Sequence, residues 1–69
     1  MSRRHELPPA AWAAFQAGAC RAHRDARMDA ARMARVDQNP ERVDCFVRQA
    51  RAWHQLYLAE LRAAVGGAA

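Results

Sequence analysis

Two apolar stripes at helical spacing, separated by one short Asn39-Pro40 break, constrain this chain more than anything else in it. The first runs Trp12, Phe15, Ala19, Ala22, Ala26, Ala30, Met33. The second runs Val43, Phe46, Ala50, Trp53/His54, Tyr57, Leu61, Ala64/Val65. Steps of three and four residues place side chains on one face of an α-helix. The fold class that follows is all-α, an antiparallel two-helix hairpin. With 69 residues there is room for one small domain, in the range where a single core is marginal without a staple or a second chain.

Local signals set the boundaries. Residues 1–7 read as a flexible basic tail, 8–36 as the first helix, 37–40 as the turn, 41–65 as the second helix and 66–69 as a C-terminal tail. Pro8-Pro9 opens the first helix, since proline is tolerated where the backbone N–H has no helical partner. No Ser, Thr, Asp or Asn stands at that cap, so this end is expected to fray. Asn39 suits the N-cap of the second helix and Pro40 its first position, while Glu41 and Asp44 put negative charge near the positive end of the dipole. Gly66-Gly67 is expected to stop the second helix.

Alanine and arginine dominate, both strong helix formers; lysine and threonine are absent and serine occurs once. Eleven arginines against seven carboxylates give a net charge of +4, a modest bias toward acidic partners or nucleic acid. No apolar run approaches the ~20 residues that span a bilayer, and the basic N-terminus has no apolar region behind it, so no secretory signal is read there. Cys20 and Cys45, placed on a hairpin turning near 37–40, would lie roughly 16 Å apart along its length, too far for a disulfide. A reduced, cytoplasmic protein is the expectation.

If paired positions sum to about 76, Ala30 meets Phe46, Ala26 meets Ala50, Ala19 meets Tyr57 and Phe15 meets Leu61. Arg21, Arg24, Arg32 and Arg35 fall opposite the first stripe, with pairs Arg21–Asp25 and Asp29–Arg32 within reach. The second helix carries more apolar groups than one neighbour can cover, with a further stripe of Cys45, Ala52, Leu56, Ala59 and Ala63. Each large side chain left in water forfeits roughly 1.5–3 kcal/mol. Homodimerisation into a four-helix bundle is the expected remedy; a single repeat of a helical solenoid is the structural alternative, though such repeats come in threes or more.

Arg42, Gln49, Trp53, Leu56 and Glu60 cluster on one side of the second helix and, with Met28 on the first, form the candidate partner or dimer surface, because Trp and Arg tend to dominate binding energy. Arg21, Arg24, Arg32 and Arg35 are the candidate nucleic-acid contacts of a Rop-like dimer. Asp25 and Asp29 interrupt them, however, and all five aromatics fall on the apolar side, away from where bases would stack. Cys20, His23 and His54 have partial zinc-ligand spacing but lack a fourth ligand. Cys20 with His23 is the sole nucleophile–base pair conceivable. No catalytic set, metal site or cofactor is called for.

With its DQNPERV turn and ARAWHQLYLAEL second helix, the chain resembles, over residues 8–65 and in size, composition and layout, the small hairpin proteins of Mu-like temperate phages. These include anti-activators that bind a host quorum-sensing transcription factor and block its DNA binding. The resemblance implies a dimeric hairpin that acts by occupying a host protein's surface; it transfers no residue roles. The function expected is therefore that of a small protein-binding regulator or inhibitor of a host regulatory protein, not an enzyme, with arginine-mediated RNA or DNA binding as the alternative.

Overall fold

The computed structural model describes residues 7–68, with side-chain surroundings through Gly66; the expectations for residues 1–6 and Ala69 lie outside the described residues. Two helices make up the fold, α1 over Pro9–Val36 and α2 over Pro40–Ala68, packed as an antiparallel hairpin. Pro8 is the N-cap of α1 and gives it no side-chain hydrogen bond, as its sequence predicts. Trp12 N–H donates to the Pro8 carbonyl at 2.9 Å, closing the first turn.

The link between the helices is short because both ends are satisfied locally. At the end of α1, Gln38 N–H donates to the Arg35 carbonyl at 3.0 Å and Asn39 N–H to that of Ala34 at 2.9 Å. This is the paired bonding of a Schellman motif. Gln38 stands in its left-handed position with φ 55°, where glycine is the usual residue. Asn39 then caps α2, its Oδ1 accepting from Arg42 N–H at 3.2 Å, and Pro40 takes the first helical position. Asn39 is at once the last residue of that motif and the cap of the next helix. The chain must therefore reverse sharply.

Both helices contribute to the seam in a strict four-three alternation. On α1 the inward positions are Ala13, Ala17, Cys20, Arg24, Arg27, Ala31 and Ala34; on α2 they are Val43, Val47, Ala50, His54, Tyr57, Leu61 and Ala64. Each of these is buried or half-buried. A sustained 3.5-residue repeat is the pattern of a coiled-coil contact. The second stripe is thus mostly where its spacing predicts. The first is not. Ala22 and Ala26 are exposed, and Trp12, Phe15 and Met33 are exposed by 49%, 61% and 62%. The expected cross-seam partners Ala26 and Phe15 therefore give way to inward neighbours such as Ala31, Cys20 and Ala17.

Size explains the shift. The seam side of α2 carries Val43, Val47, Tyr57 and Leu61, which need space, and alanines on α1 supply it by letting the backbones approach. Trp12 and Phe15 instead meet each other edge to face, ring centroids 5.5 Å apart. A second correction concerns the end of α2, which runs through Gly66 and Gly67 to Ala68. Glycine costs about 1 kcal/mol in a helix but does not forbid it, and no described glycine adopts positive φ.

A hairpin has a single layer. The Cα envelope measures 51 × 26 × 12 Å, and the radius of gyration is 15.8 Å against the roughly 11 Å of a compact domain this size. Its thinnest dimension is about one helix diameter, so the molecule has two broad faces. No helix among the described residues is long and apolar enough to cross a membrane.

Candidate protein-binding faces

The seven-residue repeat that builds the seam also sorts everything beside it. Seven-residue steps carry Trp12, Ala19, Ala26 and Met33 down one flank of α1, with Gln16, His23 and Ala30 just inside them. On α2 the equivalent flank holds Arg42, Gln49 and Leu56, with Phe46, Trp53 and Glu60 inside. His23 stacks on Trp53, centroids 4.4 Å apart and planes 17° from parallel, so the two flanks share one broad face. We call it the aromatic face.

This arrangement gathers five of the six residues predicted as a partner surface, Arg42, Gln49, Trp53, Leu56 and Glu60, and joins to them a stripe whose spacing alone predicts it in the seam. Trp12, Phe15, Met33 and the half-exposed Leu56 each leave about half their area in water. At 150–250 Å² per large side chain, that is on the order of 400 Å² before the intervening alanines count. That is comparable to the largest apolar patch of a typical monomer, and such patches are often functional. From residue 12 to residue 28 this flank of α1 carries no charged side chain. Charge depletion of that kind marks the centre of protein interfaces.

Met28 is the sixth predicted residue, and it lies on the other side. It shares a concavity with Arg24, Val47, Ala50, Arg51 and His54. Two more concavities continue the line along the same face. Arg35, Val43, Asp44 and Val47 line one at the turn; Leu58, Leu61, Arg62 and Val65 line the other at the far end. The α1 edge of this arginine face follows the seven-residue column Ala14, Arg21, Met28, Arg35, and the α2 edge follows Arg51, Leu58, Val65.

The four candidate phosphate-binding arginines are split by the structure. Arg24 occupies a seam position. Its Nη1 lies 3.0 Å from His54 Nδ1, and because a guanidinium has only donors the imidazole nitrogen accepts, which places the ring proton on Nε2. The Arg24 guanidinium also stands 5.3 Å from the Tyr57 ring centroid and pairs with Asp25 at 3.0 Å. Arg32 is tied to Asp29 at 2.7 Å, the pair its spacing predicts; Asp25 pairs with Arg24 rather than Arg21. Arg21 and Arg35 remain exposed, and so does Arg51, with no carboxylate within ion-pair distance among the described residues. Arg48 meets Asp44 at 3.4 Å.

The residues weighed for metal or nucleophilic chemistry are dispersed. Cys20 is buried in the seam and Cys45 is exposed, both as free thiols; His23 is engaged with Trp53 and His54 with Arg24. Among the described residues no three His, Cys, Asp or Glu side chains gather closely enough to hold a metal ion. The signal for the seam was present in the sequence as the four-three alternation at 13, 17, 20, 24, 27, 31, 34. It is hidden because two of those positions are arginine and the rest are small.

Compared with known proteins, the chain matches no family model, no curated protein and no solved structure.

Proposed function

We propose that this chain is a small non-enzymatic protein-binding regulator or inhibitor that works as a homodimer, two hairpins joined through their aromatic faces into a four-helix bundle. One observation carries the reading: the largest apolar side chains of α1 lie exposed, away from α2. A monomer that satisfied itself would bury Trp12, Phe15 and Met33 first, since each is worth roughly 1.5–3 kcal/mol. Two helices about 42 Å long and 20 Å wide side by side present a face of about 800 Å², which is what each partner contributes to a standard interface.

Charge favours a second copy as the occupant. Two chains of +4 repel unless their cations point elsewhere, and on the aromatic face of α1 they do. Self-pairing also suits the sizes along α1. In an antiparallel two-fold pairing, Phe15 of one hairpin lies level with the alanine at 30 of the other, and the alanines at 19 and 26 lie level at the centre. The layout shared with the phage hairpin proteins supports action in the cytoplasm on a host regulatory protein.

Light scattering from 1 to 100 μM tests the dimer (the concentrations are order-of-magnitude choices around typical interface affinities). A mass of about two chains is expected, falling to one in Phe15→Glu. A mass of one chain for the unmodified protein across this range refutes the proposal. Nucleic-acid binding is the other reading, favoured only by the exposed Arg21 and Arg35. It predicts retardation of RNA or DNA at low salt and a steep loss at physiological salt.

A further inference from the structure

Covering the aromatic face leaves the opposite one in water, and that face is a groove of a specific chemistry. Three concavities follow one another along it: Val43 and Val47 with Arg35 and Asp44 at the turn, Val47 and Ala50 with Arg24, Arg51 and His54 in the middle, and Leu58, Leu61 and Val65 at the far end. Between Val43 and Val65 the run is about 33 Å at 1.5 Å per residue, the length of a six-turn helix. Met28 closes the middle from the α1 side. Along the margins stand Arg21, Arg35 and Arg51, exposed and without a carboxylate partner among the described residues. An apolar channel flanked by unneutralised cations is complementary to a helix with an apolar stripe and acidic flanks.

We propose that this arginine face docks an acidic amphipathic helix of a partner protein. The proposal rests on the reading of the chain as a protein-binding regulator and names the chemistry of the protein bound. A leucine-type stripe on the guest, with members near i, i+11 and i+14, seats on Val47, Leu58 and Leu61, which span about 21 Å along α2, the helix-in-groove mode of recognition. Glutamates on its flanks meet Arg35 near the turn and Arg21 and Arg51 further along. The charges set orientation and speed of encounter, and the apolar floor supplies the affinity. Nucleic acid fits this face less well. Asp25, Asp29 and Asp44 on this side are each paired with an arginine of their own helix and bear equally on either anionic partner, but a phosphate backbone has no use for the valine and leucine side chains.

The test uses the full chain and a synthetic peptide of about 20 residues, a length set by the groove, with leucines on one helical face and glutamates on its flanks. Controls are the same composition scrambled so that the leucines no longer align, an oligo-glutamate, and a DNA duplex of similar charge. Fluorescence anisotropy is expected to show the amphipathic peptide binding at least about tenfold tighter than either peptide control. Arg35→Glu with Arg51→Glu should weaken it by about tenfold or more, and a peptide with lysine for glutamate should recover binding to that double variant. Both substitutions are on exposed positions, and circular dichroism of the double variant checks that the hairpin persists. Equal binding of the scrambled peptide overturns the proposal. So does tighter binding of the duplex with a steep salt slope, which assigns the arginines to phosphate instead. Mass is measured on the same samples. A dimer that ignores the peptide removes this inference and leaves the aromatic-face reading intact; a monomer that binds it does the reverse.

Discussion

The aromatic and arginine faces are built on the same two helices and the same seven-residue frame, yet they differ in charge far more than in apolar content. Both carry large hydrophobic side chains. On the aromatic face, Trp12, Phe15, Met33 and Leu56 stand among alanines with few ions near them; on the other, Val47, Leu58 and Val65 stand among Arg21, Arg35 and Arg51. A one-layer fold cannot hide either. What separates them is what each admits. That difference underlies both proposals: a copy of the same cationic chain for the first face, an acidic partner for the second.

The largest effect that breaks this contrast comes from putting charge where the aromatic face has none. In a two-fold dimer every substitution is present twice in the interface. Phe15→Glu, or Ala26→Glu at the centre, is therefore expected to cost about 3–6 kcal/mol of association, more than a hundredfold in Kd. Sedimentation equilibrium checks this. Arg35→Glu and Arg51→Glu, on the opposite face, should leave the mass unchanged. If they dissociate the dimer as effectively as Phe15→Glu does, the faces have been assigned the wrong way round.

Next in size is a pair of substitutions that separates the seam from the aromatic face. Ala17 and Ala31 are buried between the helices at 2% and 4% exposure, while Ala22 faces solvent. Ala17→Leu should overpack the seam and cost about 1–3 kcal/mol, read as a lower urea midpoint. Ala22→Leu, which inserts into nothing within one hairpin, should leave the stability of a monomeric background such as Phe15→Glu within about 0.5 kcal/mol. The opposite ranking would restore the Trp12–Met33 stripe to the seam.

That pair also marks what was legible in the sequence. The helices, the turn and the inward side of α2 follow from residues whose local chemistry points one way: Asn39 and Pro40 start a helix, and Val43, Tyr57 and Leu61 share one face. On α1 hydrophobicity and packing point to different faces. Spacing favours burying Trp12, Phe15 and Met33, but the large side chains of α2 need small neighbours, and alanine reads as neutral in any apolar pattern. Arg24 deepens the ambiguity. A charged residue at a core position of the repeat looks like surface until His54, Tyr57 and Asp25 are seen around it. Of the candidate site, the α2 edge was readable. Its continuity with α1 was not, because it depends on which side of the seam α1 turns.

Arg24 accordingly belongs to the seam, where it also lines the middle concavity of the arginine face, and a smaller effect tests what holds it there. Arg24→Ala removes the stem that fills the seam and leaves His54 Nδ1 without its donor; a loss of about 1–2 kcal/mol is expected. Arg24→Met keeps the stem and removes the charge, and should recover most of that loss, since a half-buried ion is often replaceable by an apolar side chain of similar volume. Chemical denaturation of both variants decides. Equal losses would show that the charge and not the packing holds Arg24 in place.

The smallest effect concerns the turn that sets the two helices side by side. Gln38 holds φ 55°, a conformation that costs a residue with a Cβ about 1 kcal/mol and glycine almost nothing. Gln38→Gly also loosens the unfolded chain, which takes back part of the gain. The net expectation is a stabilisation of at most about 0.5 kcal/mol, measured as a slightly raised urea midpoint. Gln38 lies outside both apolar columns but lines the concavity at the turn beside Arg35 and Val43, so mass should stay where it is and peptide affinity should shift only slightly. A turn variant that changed either markedly would mean that the faces depend on how the helices are joined, and that the contrast between them is not a property of their side chains alone.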